Sequence, residues 1–348
     1  MTGRVRLISV AGFCACVVSV VVAATNARAY DAEYVFGDSL SDNGNAAELE
    51  GAAYPDPPSY HNSYTNGPVA VADLAKSLGL PTLEPSLWAN NFTDEHNIYP
   101  PGFTPGTNYA FAGATANLVG YEDFYWNLPQ QVAAYTAHVS NVADPSALYV
   151  IMIGGNDVIN AVTSNPPLTD AYMVSGVDSE IAQITTLAKD GARNFLIVNV
   201  SNVGLIPLLS GTPGAALATA LSQFYDATLQ KQLNDLALPA GAALNEFNLY
   251  GYNENILANP LAYGFTNTTQ PCYANAPASA ASDTGCDASN IDSFVYWNDV
   301  HPTAAVQALW AQGMLQAVPE TSTWVMLLVG FAGTASMGLK SARKGRTA

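Results

Sequence analysis

Four short stretches of this 348-residue chain hold side chains that could do chemistry. The first runs Tyr34-Val35-Phe36-Gly37-Asp38-Ser39-Leu40-Ser41-Asp42-Asn43-Gly44-Asn45, an apolar run that stops at a Gly-Asp-Ser turn and continues polar. Ser39 is the candidate nucleophile. A hydroxyl is weak at neutral pH, so it needs a base, an orienter for that base and donors for an oxyanion. The second stretch, Asn108 to Thr115, puts small residues around Gly113. Its backbone can come close to a ligand, as an oxyanion donor or simply as a tight packing turn. The third, Gly154-Gly155-Asn156-Asp157, offers the side-chain N–H of Asn156 to an oxyanion, or an Asn suited to a turn. The fourth, Trp297-Asn298-Asp299-Val300-His301-Pro302-Thr303, supplies the base: His301 has an acid two residues before it and Pro302 after it. His61, His96 and His138 lie in stretches with no partner pattern and read as surface or loop residues.

The elements between these stretches explain how they could meet. Apolar runs at Tyr34–Phe36, Leu148–Ile153 and Phe195–Val200 read as buried strands, and Ala242–Leu249 as the last one. Helical patterns lie between them, at 68–78, 128–139, 177–189 and 214–236. In the long one, Leu217, Leu221, Phe224, Leu229 and Leu233 are core candidates. A last amphipathic stripe, Val306 to Ala317, starts behind Pro302 and places His301 near a helix N-terminus, where the positive dipole end disfavours a charged ring. Strand and helix alternate, so the expected core is a parallel sheet covered on both faces. Ligands of such sheets bind beyond the carboxyl ends of the strands, where Ser39 and Asn156 both fall.

Ser39, Gly113, Asn156 and His301, in this order and each in its own motif, resemble the SGNH (GDSL) hydrolase family, most of all its bacterial secreted esterases, lipases and lysophospholipases. The resemblance covers about 30–318. It implies a flavodoxin-like three-layer α/β/α sandwich with a parallel central sheet. It also implies a Ser39 acyl-enzyme, His301 as general base, and an oxyanion hole of the Ser39 and Gly113 N–H groups with the Asn156 side chain. It calls for no metal and no cofactor. The family usually carries an Asp three residues before the His, and here that residue is Asn298. Asp299 takes the role after a local shift, Asn298 or a backbone carbonyl orients the ring, or activity is low. An Asp→Asn exchange at this role in serine proteases costs about 10⁴ in kcat, largely through the wrong tautomer.

The two ends have their own patterns. Residues 1–29 read as a secretory signal: Arg4 and Arg6, an apolar stretch from Leu7 to Ala24, then Ala27-Arg28-Ala29 for signal peptidase. Residues 319–348 hold Pro319-Glu320-Thr321, a 16-residue apolar run from Trp324 to Leu339, and Lys340, Arg343, Lys344 and Arg346. This end resembles the PEP-CTERM sorting segments of Gram-negative bacteria, which implies transient membrane attachment and processing by an exosortase-type enzyme. Thr321 stands where a second Pro is usual. The expected location is extracellular, periplasmic or cell-surface.

Between the ends, 30–318 carries four strong bases and 27 acids, a formal balance of −23. Such a surface repels phosphate backbones and excludes nucleic acid as a partner. Cys272 and Cys286 are the two cysteines outside the signal, and in an oxidising compartment they are expected to pair. The leading reading is a secreted carboxylic-ester hydrolase acting on a lipid or other acyl ester. The alternatives are an O-deacetylase of exopolysaccharide and a non-catalytic surface or matrix protein on a hydrolase fold.

Overall fold

The computed structural model describes residues 29–50, 59–87, 105–117, 126–273 and 285–318. The signal and sorting patterns, His96 and most of the aromatic run 121–126 lie outside them. Tyr30–Val318 forms one compact unit. Among the described residues, no helix is long and apolar enough to cross a membrane.

Four parallel strands make the central sheet, in the order β1 (Glu33–Gly37), β2 (Leu148–Met152), β3 (Asn194–Val198), β4 (Ala243–Phe247). Register runs from Val35 to Val150, Leu196 and Asn245. β2 is buried at every residue, as its unbroken apolar sequence requires when both faces are covered. β4 is the edge strand and alternates less cleanly, with Ala243 and Glu246 exposed. A fifth lane lies on the other side of β1. Val35 N–H donates to Thr107 O (3.0 Å), Tyr109 N–H to Val35 O (2.7 Å) and Phe111 N–H to Gly37 O (3.1 Å). With that lane counted, β1 lies between the second and third lanes of the chain, so the winding reverses at β1. This is the switch point at which doubly wound sheets open a crevice, and Ser39 follows directly from it.

Helices cover both faces. On one side α2 (Ala70–Ser77) packs on α8 (Ala304–Ala317). On the other, α5 (Asp170–Asp190) packs on α3 (Leu128–His138), α4 (Gly155–Thr163) and α6 (Ala215–Asp235). Along α6, Leu221, Leu229 and Leu233 are buried. Of the other core candidates, Leu217 is 38% exposed and Phe224 is half-buried, its neighbour Tyr225 taking the interior position. The 3.6-residue stripe tolerated either assignment, because Tyr225 is also apolar over most of its surface. Two further elements carried no clear pattern in the sequence: α7 (Leu249–Ala258), and the pair β5 (Asn267–Pro271) and β6 (Phe294–Tyr296), which are parallel. A disulfide joins Cys272 to Cys286.

Candidate active site

Gly37 ends β1 where the Met152 carbonyl of β2 comes close; a Cβ there would lie 2.4 Å from that oxygen. Its peptide is braced from both sides by one side chain. Gly37 N–H donates to Gln131 Oε1 (2.8 Å), and Gln131 Nε2 donates to Gly37 O (2.7 Å). The chain then turns sharply, with Ser41 and Asp42 N–H on the Asp38 carbonyl and Leu40 N–H on Asp38 Oδ1. The turn leaves the Ser39 N–H without an acceptor among the described residues, and exposes 8% of Ser39.

His301 comes from the loop between β6 and α8. Trp297 N–H donates to the His301 carbonyl (2.8 Å), and Thr303 N–H to Val295 O (3.0 Å), so residues 297–301 form a tight, closed loop. Its Nε2 lies 2.7 Å from Ser39 Oγ. Its Nδ1 lies 3.0 Å from Asn298 Oδ1. That same oxygen accepts the backbone N–H groups of Val300 (3.0 Å) and His301 (2.7 Å). Those two donors fix which end of the amide faces the ring. Oxygen faces it, so Nδ1 carries the hydrogen and the Nε2 lone pair is left for the serine hydroxyl. The orienting position on Nδ1 is therefore held by Asn298 and not by Asp299, whose carbonyl accepts from Leu208 N–H (2.8 Å). A side chain three residues before the ring can fold back as an Asx turn onto the loop's own N–H groups, whereas its neighbour starts from a different direction.

Burial pushes His301 down to about 3, which favours the neutral ring. The helix end expected to do this is not the cause: α8 begins at Ala304, and His301 stands outside its first turn. Tyr64 packs against the imidazole, ring centroids 5.1 Å apart.

Gly113 sits in a turn closed by Ala114 N–H on Phe111 O (3.1 Å), with φ +80°. Ala112 has no positive φ, so this is a type II turn, which needs glycine at that place. Gly113 is exposed, a Cβ on it would meet nothing within 4 Å, and its N–H has no acceptor among the described residues. Asn156 is the second residue of α4, entered through Gly154 at φ +108°. A Cβ on Gly154 would strike Val200 at 2.7 Å and Tyr225 at 2.8 Å. Asn156 Nδ2 donates one hydrogen to Ala114 O (2.9 Å), which ties it to the Gly113 turn. Three N–H groups, the backbone ones of Ser39 and Gly113 and the side-chain one of Asn156, thus belong to segments that follow the carboxyl ends of neighbouring lanes of the sheet. Among the described residues, no group of three His, Cys, Asp or Glu is placed to hold a metal.

Sequence reasoning missed three polar side chains that build this end of the sheet. Gln131 stands in the middle of a helix, and nothing in its surroundings marks it. Asp157 accepts Ala116 (2.8 Å) and Asn117 N–H (3.2 Å), and Asp42 accepts four backbone N–H groups. Asp42 and Asp157 stood in the motifs already singled out, which was a signal that they serve those motifs.

The family model for GDSL-like lipase/acylhydrolase matches residues 34–314. The chain belongs to that family, a family of hydrolases acting on ester bonds in which one relative is named as inactive. Lipase 1 of Photorhabdus luminescens is 28% identical, over 93% of this chain and 55% of that protein, so the chain spans about half its length. The GDSL esterase/lipase At1g29660 of Arabidopsis thaliana is 25% identical over 80% of this chain and 85% of its own. The inactive GDSL esterase/lipase-like protein 25 of the same plant is 24% identical over 82% of this chain and 71% of its own.

Proposed function

We propose that the chain is an exported serine hydrolase that cleaves carboxylic esters through a Ser39 acyl-enzyme. The observation that carries this reading is the 2.7 Å contact of Ser39 Oγ with a His301 Nε2 whose tautomer is set from the other side of the ring. Ser39 Oγ attacks the ester carbonyl while Nε2 takes its proton. The oxygen that becomes negative is received by the Ser39 and Gly113 N–H groups and the remaining Asn156 hydrogen. Collapse expels the alcohol, which leaves with the proton from Nε2. Water then attacks the acyl-enzyme with the same base, and Ser39 is restored. Export rests on the signal pattern of residues 1–29, and passing membrane attachment on the sorting pattern of 319–348.

The test follows hydrolysis of p-nitrophenyl esters from acetyl to palmitoyl by the full chain and by Ser39→Ala. The wild type is expected to turn over and the variant to fall at least about 10³-fold. Equal rates in the two proteins, both folded, would return the chain to the non-catalytic reading. The chain-length profile, with acetate release from acetylated polysaccharide beside it, separates a lipid or acyl-ester hydrolase from an O-deacetylase.

A further inference from the structure

Asp42 is fully buried and lies three residues after the nucleophile. Its Oδ1 accepts the N–H groups of Gly44 (2.8 Å) and Asn45 (2.8 Å). Its Oδ2 accepts Ala46 N–H (3.1 Å) and Ala112 N–H (2.9 Å). The first three bonds cap α1 (Asn45–Glu50), and capping explains an aspartate there. The fourth is not explained by capping. It comes from a loop 70 residues away, and from the residue just before Gly113.

That placement matters for the direction of one N–H. In the turn Phe111-Ala112-Gly113-Ala114, the Gly113 N–H belongs to the central peptide. Type I and type II turns differ by rotating that peptide about 150–170°, so the turn type decides on which side the N–H emerges. Two side chains hold the turn: Asp42 on Ala112 N–H, and Asn156 on Ala114 O. Asn156 comes with the third motif, Asp42 with the nucleophile loop itself.

We propose that Asp42 is a positioning residue of the oxyanion hole, a carboxylate that sets the Gly113 turn against the Ser39 loop through its bond to Ala112 N–H. It touches neither substrate nor Ser39, and it acts through the Gly113 N–H. The proposal rests on the ester-hydrolase reading above for its kinetic part, and on geometry alone for its structural part.

Asp42→Asn tests it because the exchange is not neutral here. Each carboxylate oxygen serves two N–H groups, and an amide has one oxygen. If that oxygen keeps Gly44 and Asn45, the NH₂ faces Ala46 and Ala112 N–H, and the bridge opens. In full-length protein, kcat is expected to fall about 10²-fold, as when an oxyanion donor is lost, with KM held within about threefold. Amide hydrogen exchange in the peptide around 109–116 is expected to quicken. A merely structural cap would lower the melting temperature and leave kcat in place, and that result would overturn the proposal. So would unchanged exchange at 109–116. Ala112→Pro keeps Asp42 and the cap but removes the N–H, at a turn position that accepts proline. It covers the case in which Asp42→Asn does not fold: a fall in kcat of about 10-fold or more supports the bridge, and wild-type kcat refutes it. Wild type against Ser39→Ala shows separately whether the ester-hydrolase reading holds, and the exchange measurement on Asp42→Asn stands even if it does not.

Discussion

Replacing Asn298 by Asp should turn a correctly oriented but uncharged support into a charged one. In serine proteases the reverse exchange costs about 10⁴, largely because the amide sets the wrong tautomer. That loss does not apply here, since Val300 and His301 N–H hold Oδ1, not the NH₂, toward Nδ1. What Asn298 lacks is charge for the imidazolium formed as Ser39 attacks. With about 4 Å between charges and an effective dielectric of about 20, a carboxylate would supply about 4 kcal/mol, or about 3 pKa units. His301, which burial holds at about 3, would then titrate at about 6. The rate ceiling is about 10³-fold. Part of the gain goes to burying the carboxylate, and the ring is only partly charged in the transition state, so kcat should rise about 10- to 10²-fold at pH 8. Two assays read this. Steady-state hydrolysis gives kcat, and histidine NMR over pH, with His301→Gln for assignment, gives the ring's own titration. An unmoved His301 titration in folded Asn298→Asp would show that residue 298 does not face the ring in solution, and the reasoning would fail.

Two other outcomes follow from groups already described. Burial raises Glu180 to about 8, and Asp157 and Asp226 to about 7, although Tyr225 OH donates to Glu180 and backbone N–H groups to the other two. Folded values above unfolded ones mean that the native state binds more protons across the window between them. Their contribution is thus full below about pH 4 and is lost as pH rises through 7 to 8. Melting temperature should rise as pH falls from 8 toward 5, and Glu180→Gln should flatten that slope; a slope of the opposite sign would contradict the assignment. Gly113→Ala, at φ +80°, should cost about 1–2 kcal/mol of stability and lower kcat more than it raises KM, by steady-state kinetics and thermal melts.

Much of the fold could be read from the chain because its strands are buried on both faces and therefore unbroken in the sequence. Leu148–Met152 and Asn194–Val198 announce themselves in this way. The lane at 107–111 does not, because Thr107, Asn108 and Ala110 break up the apolar run that Tyr109 and Phe111 would otherwise make, and its partner on β1 is set by tertiary contact. α4 was hidden behind the glycines that permit its entry, so that Gly154 and Gly155 read as a turn alone. At the site, residue types and order pointed to Ser39, Gly113, Asn156 and His301, and their separation in sequence is what the sheet removes. The choice between Asn298 and Asp299 could not be made from spacing. It depends on two backbone N–H groups that exist only once the loop has closed.

The lane at 107–111 also ties a candidate oxyanion donor to the interior of the fold. It ends in the Phe111–Ala114 turn, so the lane that completes the sheet also carries one of the candidate oxyanion donors. Three backbone hydrogen bonds and a bridge hold it to β1, a second bridge joins Asn108 to Pro85, Asn45 Nδ2 donates to Asn108 O and Ala110 O at 2.8 Å each, and Asn108, Tyr109 and Ala110 are fully buried. Buried segments bonded on both sides open at free energies near that of global unfolding. A molecule with this lane detached would lose Tyr109 from its place on Phe36 and Asn108 from the Ser41 carbonyl of the nucleophile loop, along with a donor for the oxyanion. Competence of the oxyanion donor and integrity of the fold are then expected to fail together, in one transition.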